Sequence, residues 1–202
     1  MTVPRPIGVL GGSFNPPHIG HLVIASELCA RLDLERVLFV PAAAPPHKHI
    51  DDGVAAADRL EMTRLATADD ERFVVSAVEV ELGLRFTADT LAELRRRHEG
   101  RDLVFIVGSD TLLQFGSWHE PERVLSLATM AVAHRPGDDT AAVARAVERW
   151  GPDRVCLVPA AGIDVSSSAL RERVRKGSPI RYLVSRAVER FIAERGLYRP
   201  IR

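Results

Sequence analysis

Short apolar runs that alternate with longer amphipathic ones constrain the fold of this chain more than any other feature. Several of the runs are apolar at nearly every position, which is typical of strands covered on both faces of a sheet. They are residues 6–10, 36–40, 73–77, 103–107, 129–133 and 154–158. Helical periodicity lies between them, at residues 18–32, 58–68, 88–98 and 140–150. This alternation predicts an α/β fold with a doubly wound, Rossmann-like parallel sheet.

The pattern changes after Pro159, where only helical periodicity follows, at residues 166–175 and 184–195. No long linker or low-complexity tract separates the two parts. We therefore expect a single domain over residues 1–202, in which a Rossmann-like core spans residues 1–160 and a small helical C-terminal segment spans residues 161–202.

Charge and N-terminal composition exclude several function classes. The 27 basic and 27 acidic residues give a formal charge of zero, which does not favour a general polyanion binder, so we expect no nucleic-acid partner. Only a short apolar stretch precedes the first glycine pair, which is too little for a signal peptide or a membrane span. We expect a cytoplasmic protein without a membrane partner, and a homo-oligomer is compatible with the sequence.

Residues 11–21, Gly-Gly-Ser-Phe-Asn-Pro-Pro-His-Ile-Gly-His, directly follow the first predicted strand, and we call them the first motif. Gly11 and Gly12 allow a tight turn and bring backbone amides close to a ligand. His18 and His21 share one face of the first turn of the next helix. Free amides, the helix dipole and two imidazole N–H groups at that turn favour binding of a polyphosphate.

Other interpretations of the first motif stay open on these residues alone. A glycine pair before a helix is common in plain tight turns, and the motif is neither a Walker loop nor a GxGxxG fingerprint. His-x-x-His also occurs as a metal pair, but no third ligand is evident, so we assign no metal site. The two histidines can also act simply as helix caps.

Residues 165–171, Val-Ser-Ser-Ser-Ala-Leu-Arg, open the first helix of the C-terminal segment and form the second motif. Its serines can cap the helix or donate hydrogen bonds to phosphate oxygens. Arg171 lies about one turn further along, and its planar guanidinium suits a phosphate group. An ordinary serine cap beside a solvated arginine explains the same residues. Only the combination with the first motif favours a second phosphate contact.

The two motifs, in this order, resemble the GxFxPxHxGH and ISSTxIR signatures of the nucleotidyltransferase superfamily. A more specific resemblance, to the bacterial nicotinate-nucleotide adenylyltransferases, extends over nearly the whole chain. It rests on Pro45-Pro-His-Lys48, Arg85-Phe-Thr-Ala-Asp-Thr-Leu91, Gly108-Ser-Asp110 followed by Trp118, Arg135-Pro-Gly137, and the ending with Val184, Ile192 and Gly196-Leu-Tyr198.

This resemblance implies transfer of AMP from ATP to nicotinate mononucleotide, which yields nicotinate adenine dinucleotide and pyrophosphate in NAD biosynthesis. It implies no covalent intermediate, because the mononucleotide phosphate attacks the α-phosphorus of ATP in line. Catalysis then consists mostly of positioning and charge stabilisation. The implied partners are ATP and nicotinate mononucleotide, and Mg²⁺ would bridge the ATP phosphates.

The resemblance also implies roles for individual residues. The ATP site would consist of Gly11, Gly12, Ser13, Phe14, His18, His21, Ser166, Ser167 and Arg171. Of these, His18, His21 and Arg171 would be catalytic. The mononucleotide site would consist of Lys48, Thr87, Gly108, Asp110, Trp118, His119 and Arg135. Lys48 and Arg135 would bind its phosphate, and Trp118 would stack on the pyridine ring. Thr87 and backbone amides near Trp118 would meet the carboxylate, and Asp110 would bind a ribose hydroxyl.

Five positions depart from the family pattern. Ser13 and Asn15 stand where Thr and Asp are frequent, and Ser168 replaces a threonine. Asn15 lacks a carboxylate, so we assign it no catalytic role. Arg85-Phe-Thr replaces a commoner Ser-Tyr-Thr, which leaves the detail of the pyridine pocket undetermined. Trp118 could also be an ordinary core aromatic.

Three alternative functions are consistent with parts of the sequence. A phosphopantetheine adenylyltransferase shares the superfamily, but that family's shorter chains do not match the Pro-Pro-His-Lys and Gly-x-Asp…Trp segments. An enzyme that prefers nicotinamide mononucleotide would differ only in pocket electrostatics, which the sequence does not show. A non-catalytic nucleotide sensor could keep the fold, but the intact His18, His21 and Arg171 favour an enzyme.

Overall fold

Six parallel strands form one sheet in the computed structural model, which describes residues 4–43 and 54–199. The strand order is β3-β2-β1-β4-β5-β6. The strands are β1 (Ile7–Gly12), β2 (Arg36–Pro41), β3 (Phe73–Val75), β4 (Leu103–Gly108), β5 (Thr129–His134) and β6 (Val155–Pro159). All six predicted strands are confirmed. The order is that of a doubly wound sheet whose direction of winding reverses between β1 and β4, which confirms the predicted fold class.

Nine helices of different length are described; seven lie between the strands, and the last two follow the final strand. They are α1 (Ile19–Arg31), α2 (Ala56–Thr67), α3 (Val78–Leu82), α4 (Thr87–Arg97), α5 (Ser109–Gln114), α6 (Pro121–Leu127), α7 (Thr140–Trp150), α8 (Ser167–Arg175) and α9 (Arg186–Glu194). The six predicted helices are confirmed. The sequence does not predict α3, α5, α6 or the 3-10 turn Phe115–Ser117, because segments of three to seven residues are too short to show a helical period.

Strand β4 shows why the apolar runs become central strands. Its odd-numbered residues Leu103, Phe105 and Val107 belong to a core cluster with residues of α4 and α7. Val104 and Ile106 belong to a second cluster with residues of α1. Successive side chains of a strand point to opposite faces, so both faces of the sheet are covered. A run without polar residues is the sequence that such a strand requires.

The C-terminal segment shares a third core cluster with helix α2. Val54 and Met62 pack there with Leu170, Val188 and Ile192, and all five side chains are buried. Because the cluster joins both parts of the chain, we propose that residues 1–202 fold as one domain. Among the described residues, no helix is long and apolar enough to cross a membrane.

We expect Ile192→Ala to lower the free energy of unfolding by about 2–5 kcal/mol, because it opens a cavity in this shared cluster. Ile192 is 3% exposed. Urea unfolding followed by circular dichroism should show one transition for both proteins. The control Leu82→Ala, at a side chain that is 51% exposed, should change stability by no more than about 0.5 kcal/mol. Two separate transitions would contradict the single domain.

Candidate active site

The first motif leaves the sheet at the point where the winding reverses. β1 pairs with β2, where Gly12 lies opposite Pro41, and on its other side with β4, which ends at Gly108. β5 lies next to β4, and Arg135 is the first residue after it. In open α/β sheets, ligands bind outside the carboxyl ends of the strands at such a point. The fold therefore brings the first motif, Gly108 and Arg135 to the same edge of the sheet.

His18 and His21 lie side by side at the start of α1. The helix begins at Ile19, one residue later than predicted, and His18 is its N-cap residue. The backbone N–H of His18 donates to Nδ1 of His21 (3.1 Å), and the two rings stack with centroids 3.7 Å apart. Phe14 packs edge-on against the ring of His21. The two imidazoles therefore form one compact group.

Burial keeps this pair of imidazoles neutral at pH 7. It lowers the pKa of His18 to about 4 and that of His21 to about 3, and the neighbouring His18 contributes to the low pKa of His21. Because Nδ1 of His21 accepts a hydrogen bond, the proton of its neutral ring lies on Nε2. That N–H is the donor that His21 can offer a ligand. A bound phosphate would raise both pKa values, since negative charge favours the imidazolium form.

Gly20 allows the first and second motifs to approach each other closely. A Cβ atom at this position would lie 3.1 Å from Nδ1 of His18 and 3.2 Å from Cγ1 of Val165. Both distances are shorter than an ordinary van der Waals contact between such atoms. Val165 is the first residue of the second motif, so the glycine between the two histidines is where the motifs meet.

The second motif also binds the backbone of the first. Nη1 of Arg171 donates to the carbonyl oxygen of Asn15 (2.9 Å), and Oγ of Ser167 donates to the carbonyl oxygen of Pro16 (2.8 Å). Ser166 instead caps α8, because its Oγ accepts from the backbone N–H three residues further on (3.2 Å). Segments far apart in sequence thus form one structural unit, in which the serines act as a helix cap and a loop support.

Two side chains without a predicted site role, those of Arg59 and Tyr198, support the first motif from other directions. Arg59 of α2 is 1% exposed and donates through Nη1 to the carbonyl oxygen of Ser13 (2.9 Å). Its Nη2 donates to the carbonyl oxygen of Ala43 (3.1 Å). The hydroxyl of Tyr198 donates to Oδ1 of Asn15 (2.6 Å). These contacts fix the loop without help from a ligand, which favours preorganised binding.

A sequence signal for Arg59 does exist. Arg59, Met62, Thr63 and Ala66 are all buried on α2 and follow the i, i+3, i+4, i+7 spacing of one helical face. An arginine in that register stands on the buried side of its helix. Since buried arginines need hydrogen-bond acceptors, its position indicates a buried polar contact, although not the identity of the acceptors.

The predicted mononucleotide residues begin at the end of β4. Gly108 is the N-cap residue of α5, and a Cβ atom there would lie 2.6 Å from Oδ1 of Asp110. Such a distance is a clash, so a side chain at position 108 would displace the Asp110 carboxylate from the turn. Asp110 itself is exposed at this edge of the sheet, and its contact with a ribose hydroxyl stays a prediction.

Trp118 is half-buried and anchored by two aromatic neighbours. Its ring packs edge-on against Phe105 and Phe115, with centroids 6.1 and 5.6 Å away. These contacts hold the indole against the core, while part of the side chain stays accessible. The stacking role of Trp118 stays a prediction.

Thr87 and His119 are brought together through Phe86. Phe86 is the N-cap residue of α4 and Thr87 is the first residue of that helix. The rings of Phe86 and His119 lie 4.0 Å apart between centroids. Since His119 follows Trp118 directly in the chain, the start of α4 and the segment around Trp118 line the same part of the surface.

Arg135 and Lys48 are the two residues that are predicted to bind the mononucleotide phosphate. Arg135 is half-buried after β5, and its backbone N–H donates to Oδ2 of Asp138 (2.8 Å). Lys48 lies outside the described residues. The roles of both residues stay predictions.

Comparison with known proteins identifies the family. The Cytidylyltransferase-like family model matches residues 9–173. A protein of Thermomicrobium roseum is 43% identical over 199 residues, which cover 96% of this chain and 92% of the relative. One of Saccharopolyspora erythraea is 43% identical over 200 residues, which cover 98% and 92%. Both carry the name "Probable nicotinate-nucleotide adenylyltransferase". This chain belongs to the nicotinate-nucleotide adenylyltransferases.

Solved structures support the fold of this adenylyltransferase family member. The nicotinic acid mononucleotide adenylyltransferase of Plasmodium falciparum, complexed with NaAD, matches with a TM-score of 0.80 over 96% of this chain and 98% of that one. The same enzyme complexed with APC matches with a TM-score of 0.77. Sequence identity is 17% in both cases. At that identity the likeness concerns the arrangement of the chain and not the individual site residues.

We expect this family member to lose stability as the pH falls from about 6.5 towards 4. The folded state keeps His18 and His21 unprotonated in that range, whereas the unfolded chain takes up their protons. Each imidazole should contribute a slope of up to about 1.4 kcal/mol per pH unit. The measurement is urea unfolding at several pH values.

The double variant His18→Asn, His21→Asn serves as the control. The pKa values of His98 and Glu79 are also shifted by burial, but these groups are common to both proteins. The difference in slope therefore isolates the two imidazoles. Parallel stability curves for both proteins between pH 6.5 and 4.5 would contradict the neutral pair.

Proposed function

We propose that this protein transfers the adenylyl group of ATP to nicotinate mononucleotide, releasing pyrophosphate and producing nicotinate adenine dinucleotide for NAD biosynthesis. The main supporting observation is that Arg171 and Ser167 of the second motif bind the backbone of the first motif, at the point where the sheet reverses its winding. The relatives at 43% identity carry the name of this activity. Site geometry and family membership thus agree.

In this reaction an oxygen of the mononucleotide phosphate bonds to the α-phosphorus of ATP as the bond to the β-phosphate oxygen breaks. Negative charge moves onto the departing pyrophosphate. We propose that His18 and His21 donate hydrogen bonds to the ATP phosphates and that Arg171 contributes positive charge there. The neutral imidazoles support this role because their protonation becomes favourable as negative charge accumulates next to them.

Nucleotidyltransferases generally use a divalent metal together with ATP, and we propose Mg²⁺ for this chain. Among the described residues, no cluster of three or more His, Cys, Asp or Glu side chains could hold a metal ion. The predicted ATP site is instead composed of hydrogen-bond donors and an arginine. This composition suits a metal that enters already bound to the ATP phosphates, as part of the substrate.

We further propose that the mononucleotide lies at the carboxyl ends of the strands, where the segments after β2, β4 and β5 leave the sheet. Asp110 would bind a ribose hydroxyl, and Arg135, with Lys48, would bind the phosphate. Trp118 would stack on the pyridine ring, and Thr87 and backbone amides near Trp118 would meet the carboxylate. The contact between Phe86 and His119 supports one shared pocket for Thr87, Trp118 and the neighbouring backbone. It joins the start of α4 to the segment after Trp118.

The direct test is pyrophosphate release from ATP and Mg²⁺ with nicotinate mononucleotide, nicotinamide mononucleotide or phosphopantetheine as the acceptor. We expect release to be fastest with the nicotinate substrate. Preference for the amide would keep the chemistry but contradict the carboxylate pocket. Activity only with phosphopantetheine would contradict the acceptor, and no activity with any of the three would indicate a non-catalytic nucleotide binder.

We expect His18→Ala mainly to lower kcat and Trp118→Ala mainly to raise the KM for the mononucleotide. His18→Ala should lower kcat by about 100- to 1,000-fold, because it removes a donor to the leaving group, while the Kd for the mononucleotide changes by less than about threefold. Trp118→Ala should mainly raise the KM for the mononucleotide, by about tenfold, through lost stacking. Equal losses of kcat and mononucleotide affinity in His18→Ala would rule out the leaving-group role. An unchanged KM in Trp118→Ala would assign that indole to the core.

A further inference from the structure

Arg59 connects two segments that serve different substrates under the proposed function. Its Nη1 binds the carbonyl oxygen of Ser13, which lies in the first motif and hence in the predicted ATP site. Its Nη2 binds the carbonyl oxygen of Ala43, two residues after the end of β2. From Ala43 the chain continues to the Pro45-Pro-His-Lys48 segment that is predicted to bind the mononucleotide phosphate. One planar guanidinium therefore spans both segments.

Glu79 of α3 extends this connection to the predicted pyridine pocket. Its Oε2 accepts from the backbone N–H of Ala43 (3.3 Å), and its Oε1 accepts from the hydroxyl of Thr90 (2.8 Å). Thr90 is 3% exposed and lies on α4, one turn after Thr87. Both polar backbone groups of Ala43 are thus held by charged side chains. A continuous chain of hydrogen bonds runs from Ser13 to α4.

Arg59 and Glu79 are both charged groups placed largely out of water. Burial lowers the pKa of Arg59, which Tyr198 and then Glu79 partly offset. Burial raises the pKa of Glu79, which its hydrogen bonds with Thr90 and Ala43 and then the charge of Arg59 partly offset. Taking two charges out of water is costly, and apolar side chains of similar size would stabilise a core at least as well. What an arginine adds is a rigid fork that holds two acceptors at a set separation.

We propose that Arg59, Glu79 and Thr90 are positioning residues that set the distance between the ATP subsite and the mononucleotide subsite. This inference rests on the proposed function, because in-line attack requires the two substrates to meet in a defined geometry. A misplacement of about 1 Å can cost about 100-fold in rate. None of the three residues touches the reacting atoms in this scheme. They act through Ser13, Ala43 and α4.

The experiment compares two conservative variants with two matched controls. Arg59→Lys keeps the charge but replaces the fork by a single ammonium group, and Thr90→Val removes one hydroxyl at nearly constant volume. The controls are Arg64→Lys, an arginine of α2 that is ion-paired with Glu61, and Thr67→Val. Thr67 is 4% exposed, and within the described part of the chain its hydroxyl donates to backbone carbonyls of its own helix.

Two quantities separate positioning from a purely structural role. The Kd values for ATP and for nicotinate mononucleotide, each measured alone by calorimetry, should change by less than about threefold, because each substrate still meets its own subsite. The kcat per folded molecule should fall about 10- to 100-fold in Arg59→Lys and Thr90→Val. Both controls should keep the kcat of the unchanged protein.

In the double variant Arg59→Lys, Thr90→Val, kcat should fall by less than the product of the two single losses, because both substitutions break the same network.

Unchanged kcat in both network variants would overturn the proposal. A loss of affinity for one substrate with unchanged kcat would also overturn it, because the residue would then serve a single subsite. So would an equal loss of kcat in Thr67→Val. If Arg59→Lys does not fold, Thr90→Val and its control decide the question alone. If the unchanged protein prefers another acceptor, the proposed substrate is wrong, and the same comparison is made with that acceptor.

Discussion

Hydrogen bonds to the backbone of one loop hold the parts of this site together. Carbonyl oxygens of Ser13, Asn15 and Pro16 accept from Arg59, Arg171 and Ser167, which come from α2 and α8. A loop between a strand and a helix has few backbone partners of its own, and buried carbonyls without partners are costly. Helices far away in sequence supply these partners, and the site therefore depends on the whole chain.

The charge state of the site without a ligand suits the binding of a polyanion. The two stacked imidazoles are neutral, and Arg171 is held against the loop by its contact with Asn15. Two protonated rings at a centroid distance of 3.7 Å would repel each other strongly. A bound triphosphate would compensate that repulsion, so the charge of the site can adapt to its ligand. The buried guanidinium of Arg59 binds two carbonyl oxygens, those of Ser13 and Ala43.

The fold could be predicted almost completely, and the site in part. All six strands of the sheet coincide with apolar runs. For the central strands β1, β2, β4 and β5 the reason is that most of their residues are buried, since both faces of the sheet are covered. The short helices α3, α5 and α6 do not follow, since they form through tertiary contacts and not through an intrinsic period. The motif histidines and Arg171 could be named from their pattern. The partners of Arg59 and Glu79 could not, because hydrogen bonds between separate helices leave no periodic trace.

The sequence by itself determined the sheet with its covering helices, the loop at the end of β1 and the family to which the chain belongs. Those properties are local, because they depend on side-chain period, on glycine at tight turns and on short motifs. Only the tertiary structure decided that both His18 and Val165 lie close to Gly20, and that Ala43 is held between Arg59 and Glu79. These contacts join residues brought together by the winding of the sheet, and such distances are fixed only when the chain is packed.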